Sequence, residues 1–167
     1  MDQPAIDRLR VEPVPEQVLW IGGRGVPAAG GATLDVTSPI DGRTIGAIPD
    51  AGPEDVHRAV VAARAAFEKG SWSRAAPATR KKALSKLADL IERDALELAV
   101  LGVRDNGTEI SMAYKAEPLS AAATFRYYAE AIDKVYGEIA PTPSDVLGLI
   151  HREPVGVVAA IVPWNFP

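Results

Sequence analysis

The chain has 167 residues, long enough for one ordinary domain, and its 47% apolar and 24% charged content is that of a globular protein rather than a disordered one. A formal net charge of -4 leaves no cationic excess to neutralise a phosphate backbone, so nucleic acid is not an expected partner. The sequence contains no cysteine, which excludes disulfides, thiolate metal sites and a thiol nucleophile by count.

Residues 1–17 mix charges with Pro4, Pro13 and Pro15 and carry no sustained hydrophobic period. They lack the apolar segment of roughly 7 to 15 residues that a signal peptide requires, and predict a flexible amino-terminal arm with little structure of its own. Segments 33–37 and 44–48 are short and apolar, separated by Pro39, Asp41 and Gly42, and predict a small hairpin. Just before it, Gly23-Arg24-Gly25-Val26-Pro27-Ala28 fits a dinucleotide-binding fingerprint only formally. Pro27 removes an N–H that should face a pyrophosphate, and no helix follows, so a surface loop is the reading adopted.

After Gly52 the period changes to that of a helix. Pro53 suits a first helical position, Glu54 and Asp55 complement the positive end of the helix, and Gly70 stops it. Val56, Ala59, Val60, Ala63 and Phe67 share its expected buried face. A second helix follows Pro77, with Leu84, Leu87, Ala88 and Ile91 inward and the Arg80, Lys81, Lys82 and Lys86 cluster turned to water. A third carries Leu96, Ala99, Val100 and Val103, with Asp94 as its expected cap and Asn106-Gly107 as its end. A fourth is expected over 118–135, burying Phe125, Tyr128, Ala129 and Ile132.

Beyond Gly137 the prolines at 141 and 143 end helical structure, and 146–153 alternates as an exposed strand does. Residues 155–162 form a continuous, valine-rich run, which predicts a strand covered on both faces in a parallel sheet. At seven residues its apolar stretch GVVAAIV is far short of the ~20 needed to cross a bilayer, so no membrane partner and a cytoplasmic location are expected. No crossover of a dozen residues follows that strand to bring it neighbours, which makes the domain look incomplete. The fold class expected is therefore α/β, with helices and a hairpin leading to the first buried strand of an incomplete parallel sheet.

His57 and His151 are the only imidazoles and have neither metal-ligand spacing nor a nucleophile context, and Glu109, Glu117, Glu130 and Glu138 are too scattered to form a paired-carboxylate site. No metal site is expected. Pro163-Trp164-Asn165-Phe166-Pro167 stands at the carboxyl end of the expected strand, where open α/β sheets place ligands. A neutral amide held there could donate a hydrogen bond to a developing oxyanion. The competing reading is a rigid aromatic turn.

The residues REPVGVVAAIVPWNFP resemble the aldehyde dehydrogenase superfamily, and LWIGG, VTSPIDGRTIGAIP, EDVHRAVVAARAAFEKGSW, RKKALSKLADLIER and LGVRDNG agree with it in order, from about residue 18 onward. RYYAEAIDKVYGEIAP is most similar to the branch acting on γ-glutamyl-γ-aminobutyraldehyde. The resemblance implies an oxidoreductase that converts an aldehyde, in the finer reading an amino aldehyde, to its acid with NAD or NADP. It implies that Asn165 holds the oxyanion, that Ile161, Val162, Pro163 and Trp164 line the cofactor cleft, and that the complete enzyme is a homo-oligomer. It divides the chain into an arm at 1–17, a hairpin and helical part of the nucleotide-binding domain at 18–138, an oligomerisation strand segment at 139–154, and the first buried strand with its asparagine loop at 155–167.

The turn Asp105-Asn106-Gly107 resembles a segment near a monovalent cation site in some members, whereas Thr108 and Glu109 depart from the usual Lys-Pro. The family's nucleophilic cysteine, general-base glutamate and pyrophosphate glycines lie downstream of the matched region, so this chain is expected to be a truncated, inactive piece that binds the dinucleotide weakly. The alternative is a non-catalytic helical module that pairs with a complementary chain.

Overall fold

The structure, a computed structural model, describes residues 2–163 and 165. In chain order it comprises α1 (Gln3–Leu9), β1 (Leu19–Ile21), β2 (Arg24–Val26), β3 (Thr33–Thr37), β4 (Thr44–Pro49), α2 (Pro53–Lys69), α3 (Pro77–Arg93), α4 (Ala95–Asn106), α5 (Ile110–Tyr114), a π-helical turn (Lys115–Leu119), α6 (Ser120–Ala131), β5 (Glu138–Ala140) and β6 (Gly148–Ile150). Each pair β1–β2, β3–β4 and β5–β6 is an antiparallel two-stranded sheet. Mixed helix and strand is thus observed with only small sheets among the described residues.

The predicted hairpin is β3–β4, in a register that places Leu34 opposite Ile48 and Thr37 opposite Thr44. A second hairpin, β1–β2, turns on Gly22 and Gly23, whose φ values of 61° and 76° are those of a tight hairpin turn open to glycine. The formal dinucleotide fingerprint therefore starts in a hairpin turn and runs into β2 rather than a helix start.

The core is small and rich in alanine. Ala88 of α3, Ala95, Ala99 and Val100 of α4, Ala113 of α5, and Ala122 and Ala129 of α6 are buried. Short side chains let the helix backbones approach closely, and α3 packs along α6 with Lys81 paired to Glu130 at 2.8 Å and Arg126 to Asp89 at 2.9 Å on the rim.

Several expectations are corrected. The 1–17 arm contains α1, which Arg104 of α4 ties down by donating to the carbonyls of Leu9 and Glu12. Asp94 precedes α4 but caps nothing, because Arg93 takes its carboxylate at 2.7 and 2.8 Å and holds its pKa below the ordinary aspartate value. The fourth helix begins earlier than 118 and ends at Ala131. Pro118 has no N–H for an i→i−4 bond, and the chain accommodates it in a π-helical turn between α5 and α6. Tyr128 is 61% exposed and packs edge-on against Tyr127, with the ring centroids 5.2 Å apart, instead of entering the core. On α2, Val56 and Val60 are 57% and 47% exposed, so the apolar stripe exists without a covering layer.

Glu109 caps α5 instead of a Ser or Asp: its carboxylate accepts from the Ser111 hydroxyl and from the N–H groups of Ser111 and Met112 at 3.0 and 3.1 Å. The hydroxyl first, and then those amides, hold its pKa below the ordinary glutamate value. A depressed carboxyl pKa adds stability that is present above the unfolded value of about 4.3 and vanishes as pH falls through the folded one. The difference in urea midpoint between the native chain and Glu109→Ala should therefore be constant near neutrality and close in acid. A difference that persists unchanged in acid strong enough to protonate the cap would show that its charge is irrelevant.

Candidate functional site

The end of α4 is built to turn sharply. Gly107 has φ 78°, a conformation that favours glycine, and a Cβ added there would stand 3.2 Å from Pro39 Cγ. Asn106 fixes the turn by accepting from the Thr108 N–H at 2.8 Å through Oδ1 and donating through Nδ2 to Glu117 at 3.4 Å. On the facing side, buried Ser38 accepts from the Ile40 N–H at 3.3 Å, and its own N–H donates to Arg43 O at 2.8 Å, closing the β3–β4 connection.

Between these two turns lies a cavity of about 460 Å³, lined by Asp35, Val36, Thr37, Pro39, Asp105, Asn106 and Asn165. Residues separated by 130 positions in the chain thus meet: β3, the end of α4 and the predicted oxyanion donor. Asn165 occupies a turn and is exposed. Asp35 and Asp105 give the wall a negative character, and neither is in an ion pair among the described residues. Such a site offers a neutral amide donor beside fixed carboxylates. It offers no cysteine, and among the described residues no cluster of His, Asp or Glu suited to a metal ion. His57 and His151 are exposed, as expected, with His151 Nδ1 3.5 Å from Glu153.

The run leading to Asn165 corrects the expectation of a buried strand. Residues 155–162 pair with no strand among the described residues, and Val155 is 89% and Ile161 99% exposed. Val162 and Pro163 are exposed as well, and Trp164 lies outside the described residues. Gly156, with φ 107°, lies beside Arg64 and Phe67 of α2, and it and Val157 are partly buried. Of the predicted cofactor-lining residues, Ile161, Val162 and Pro163 are exposed among the described residues.

One organising residue was visible in the sequence only as a dipole partner. Asp55, 2% exposed, accepts from the Gly52 N–H at 3.2 Å and from the Ala29 N–H at 3.1 Å through each oxygen, with Arg58 3.3 Å away. It ties the β2–β3 connection to the start of α2. The signal for it was a glycine N-cap, which has no side chain to offer, followed at the third helical position by a carboxylate.

The aldehyde dehydrogenase family profile matches residues 26–167. The chain belongs to the aldehyde dehydrogenase family. Among curated aldehyde dehydrogenases it is similar to the NADP/NAD-dependent aldehyde dehydrogenase PuuC of Escherichia coli (strain K12), 48% identical over 152 residues, covering 91% of this chain and 31% of that protein. Among solved structures, the γ-glutamyl-γ-aminobutyraldehyde dehydrogenase of Burkholderia cenocepacia J2315 superposes with a TM-score of 0.94 at 41% identity, over 100% of this chain and 34% of that one. An indole-3-acetaldehyde dehydrogenase complexed with NAD+ superposes with a TM-score of 0.90 at 45% identity, over 96% and 32%. The chain thus spans about a third of the length of these aldehyde dehydrogenases. The match along an enzyme family does not favour the stand-alone interaction module. No helix among the described residues is long and apolar enough to cross a membrane.

Proposed function

We propose that this chain forms the amino-terminal part of an enzyme that oxidises an aldehyde, in the finer reading an amino aldehyde, to its carboxylic acid with NAD or NADP. The observation that carries this reading is the family match over residues 26–167, which takes in Asn165, one of the residues lining the Asp35–Asp105 cavity. In the proposed role the Asn165 carboxamide donates to the oxygen that gains charge when a nucleophile adds to the aldehyde carbon. Being neutral, it lowers that charge's energy without repelling or trapping the uncharged substrate. Ile161, Val162, Pro163 and Trp164 would line the cofactor cleft once a sheet covers them. The same reading takes the complete enzyme to be a cytoplasmic homo-oligomer whose partners are small molecules rather than nucleic acid or membrane.

Two assays test it. The purified chain, lacking any thiol, should produce no reduced cofactor from NAD or NADP and an aldehyde, since loss of a nucleophile costs roughly 10⁶ in rate. A chimera in which residues 26–167 replace the matching segment of the Escherichia coli relative should oxidise aldehydes at a rate near that of its parent. A soluble, well-folded chimera without activity would count against the reading, as would robust turnover by the chain alone.

A further inference from the structure

The amino-terminal arm reaches the two elements that build the walls of the asparagine cavity, the β3–β4 hairpin and α4, without lining the cavity itself. On one side Arg104 of α4, half-buried, donates through Nη1 to the carbonyl oxygens of Glu12 at 2.8 Å and Leu9 at 3.4 Å. The next two residues, Asp105 and Asn106, line the cavity. On the other side Val14 lies over Gly46 of β4, where an added Cβ would stand 3.7 Å from Val14 Cβ and Cγ1. Gly46 is the register partner of Val36, and Val36 lines the cavity as well. The stretch 9–14 thus bridges α4 to β4.

This bridge depends on its α4 end. α1 has seven residues and buries none of them, and so short a helix is marginal in water by itself. Its shape therefore follows from what holds its carboxyl end, where Leu9 closes the helix and Glu12 lies just beyond. Carbonyls at a helix end have no intrahelical donor, and the guanidinium of Arg104 supplies one from another element. An arginine suits the task because its planar group keeps its direction while meeting more than one acceptor.

We propose that Arg104 is a positioning residue for aldehyde oxidation: by holding the arm it sets the separation of the β3 wall from the α4 turn, and with it the cavity that Asn165 borders. This rests on the dehydrogenase reading and adds to it a residue that acts through Asp105, Asn106 and Val36. An oxyanion donor works by being placed beforehand, and a misplacement of about 1 Å from a change far from the chemistry can cost about 10² in rate. Without Arg104 the arm comes away from α4, and the two walls relax independently of each other.

Two measurements test it. The first uses a chimera in which residues 1–167 replace the amino-terminal part of the Escherichia coli relative. Arg104→Met should lower its kcat by roughly tenfold or more and leave KM within about twofold. Arg104→Lys, which keeps the charge and a donor, should recover part of the loss, and Arg10→Met, which removes an exposed cation of the arm, should match the unaltered chimera. An unaltered chimera without activity counts against the dehydrogenase reading; an active one whose kcat ignores Arg104→Met, or whose KM and kcat decline together, overturns the brace.

The second measurement compares amide NMR signals of Val36, Gly46, Asn106 and Gly107 in the 167-residue chain. Arg104→Met should shift signals on both walls, Val36 of β3 included, and removal of residues 1–13 should move the same amides in the same direction, because both changes undo one bridge. Shifts confined to the arm and α4 would overturn the proposal. If Arg104→Met loses its dispersed spectrum, Arg104→Lys and the shortened chain carry the same comparison.

Discussion

Asp55→Ala should destabilise the chain by roughly 2–4 kcal/mol, an effect large for a single exchange in a protein of this size. The carboxylate is almost wholly removed from solvent, and two backbone N–H groups, those of Gly52 and Ala29, point at it. Truncation leaves both donors without their side-chain partner, and an unmade part-buried hydrogen bond costs more than a made one contributes. Arg58 adds little to this sum, since its guanidinium is 40% exposed and such pairs are screened. Asp55→Asn keeps the volume and one acceptor oxygen, so it should lose about half as much; Glu54→Ala, one position earlier and exposed, should stay within about 0.5 kcal/mol. Urea unfolding with a common m-value ranks the three. Equal losses for Asp55→Ala and Glu54→Ala would mean that the clamp between the β2–β3 connection and α2 contributes nothing.

That clamp marks where sequence reasoning stops. The helical stripes of α3 and α4, the αL end at Gly107 and the β3–β4 hairpin were all legible, because each depends on residues within a few positions of one another. Burial was less legible, because a periodic apolar face only states what a helix can bury. On α2 the stripe is present and Val56 is open to solvent; on α6 alanines occupy the contact and leave Tyr128 outside. The elements that escaped were α1, α5, β5 and the strands β1 and β2, of seven or fewer residues each, too short to establish a period. The Gly22-Gly23 pair was a usable turn signal all the same. As for the candidate site, Asn165 could be named from its motif and the Asp105-Asn106 turn from its resemblance. Their meeting across β3 is a long-range fact that no local pattern encodes. The valine-rich run states a preference for cover on both faces, and the structure leaves that preference unmet.

Asn165→Ala, placed in the chimera that carries residues 26–167, should lower kcat by about 10² to 10³ while changing KM little. An amide that donates to an oxygen only as it becomes negative stabilises the transition state and leaves the ground state nearly untouched, so the loss falls on kcat. Asn165→Asp is the sharper variant. It preserves shape but turns the donor into a repelling carboxylate beside Asp35 and Asp105, which already make that wall negative, and it should be at least as damaging as alanine at neutral pH. Acidification that protonates the new carboxylate should then recover part of kcat for Asn165→Asp and none for Asn165→Ala. A residue serving merely as a rigid aromatic turn would behave otherwise: both variants would share a modest defect, spread over KM and stability, with no separate response to pH. Measuring the two pH profiles side by side distinguishes a donor aimed at an oxyanion from an asparagine that only shapes the loop.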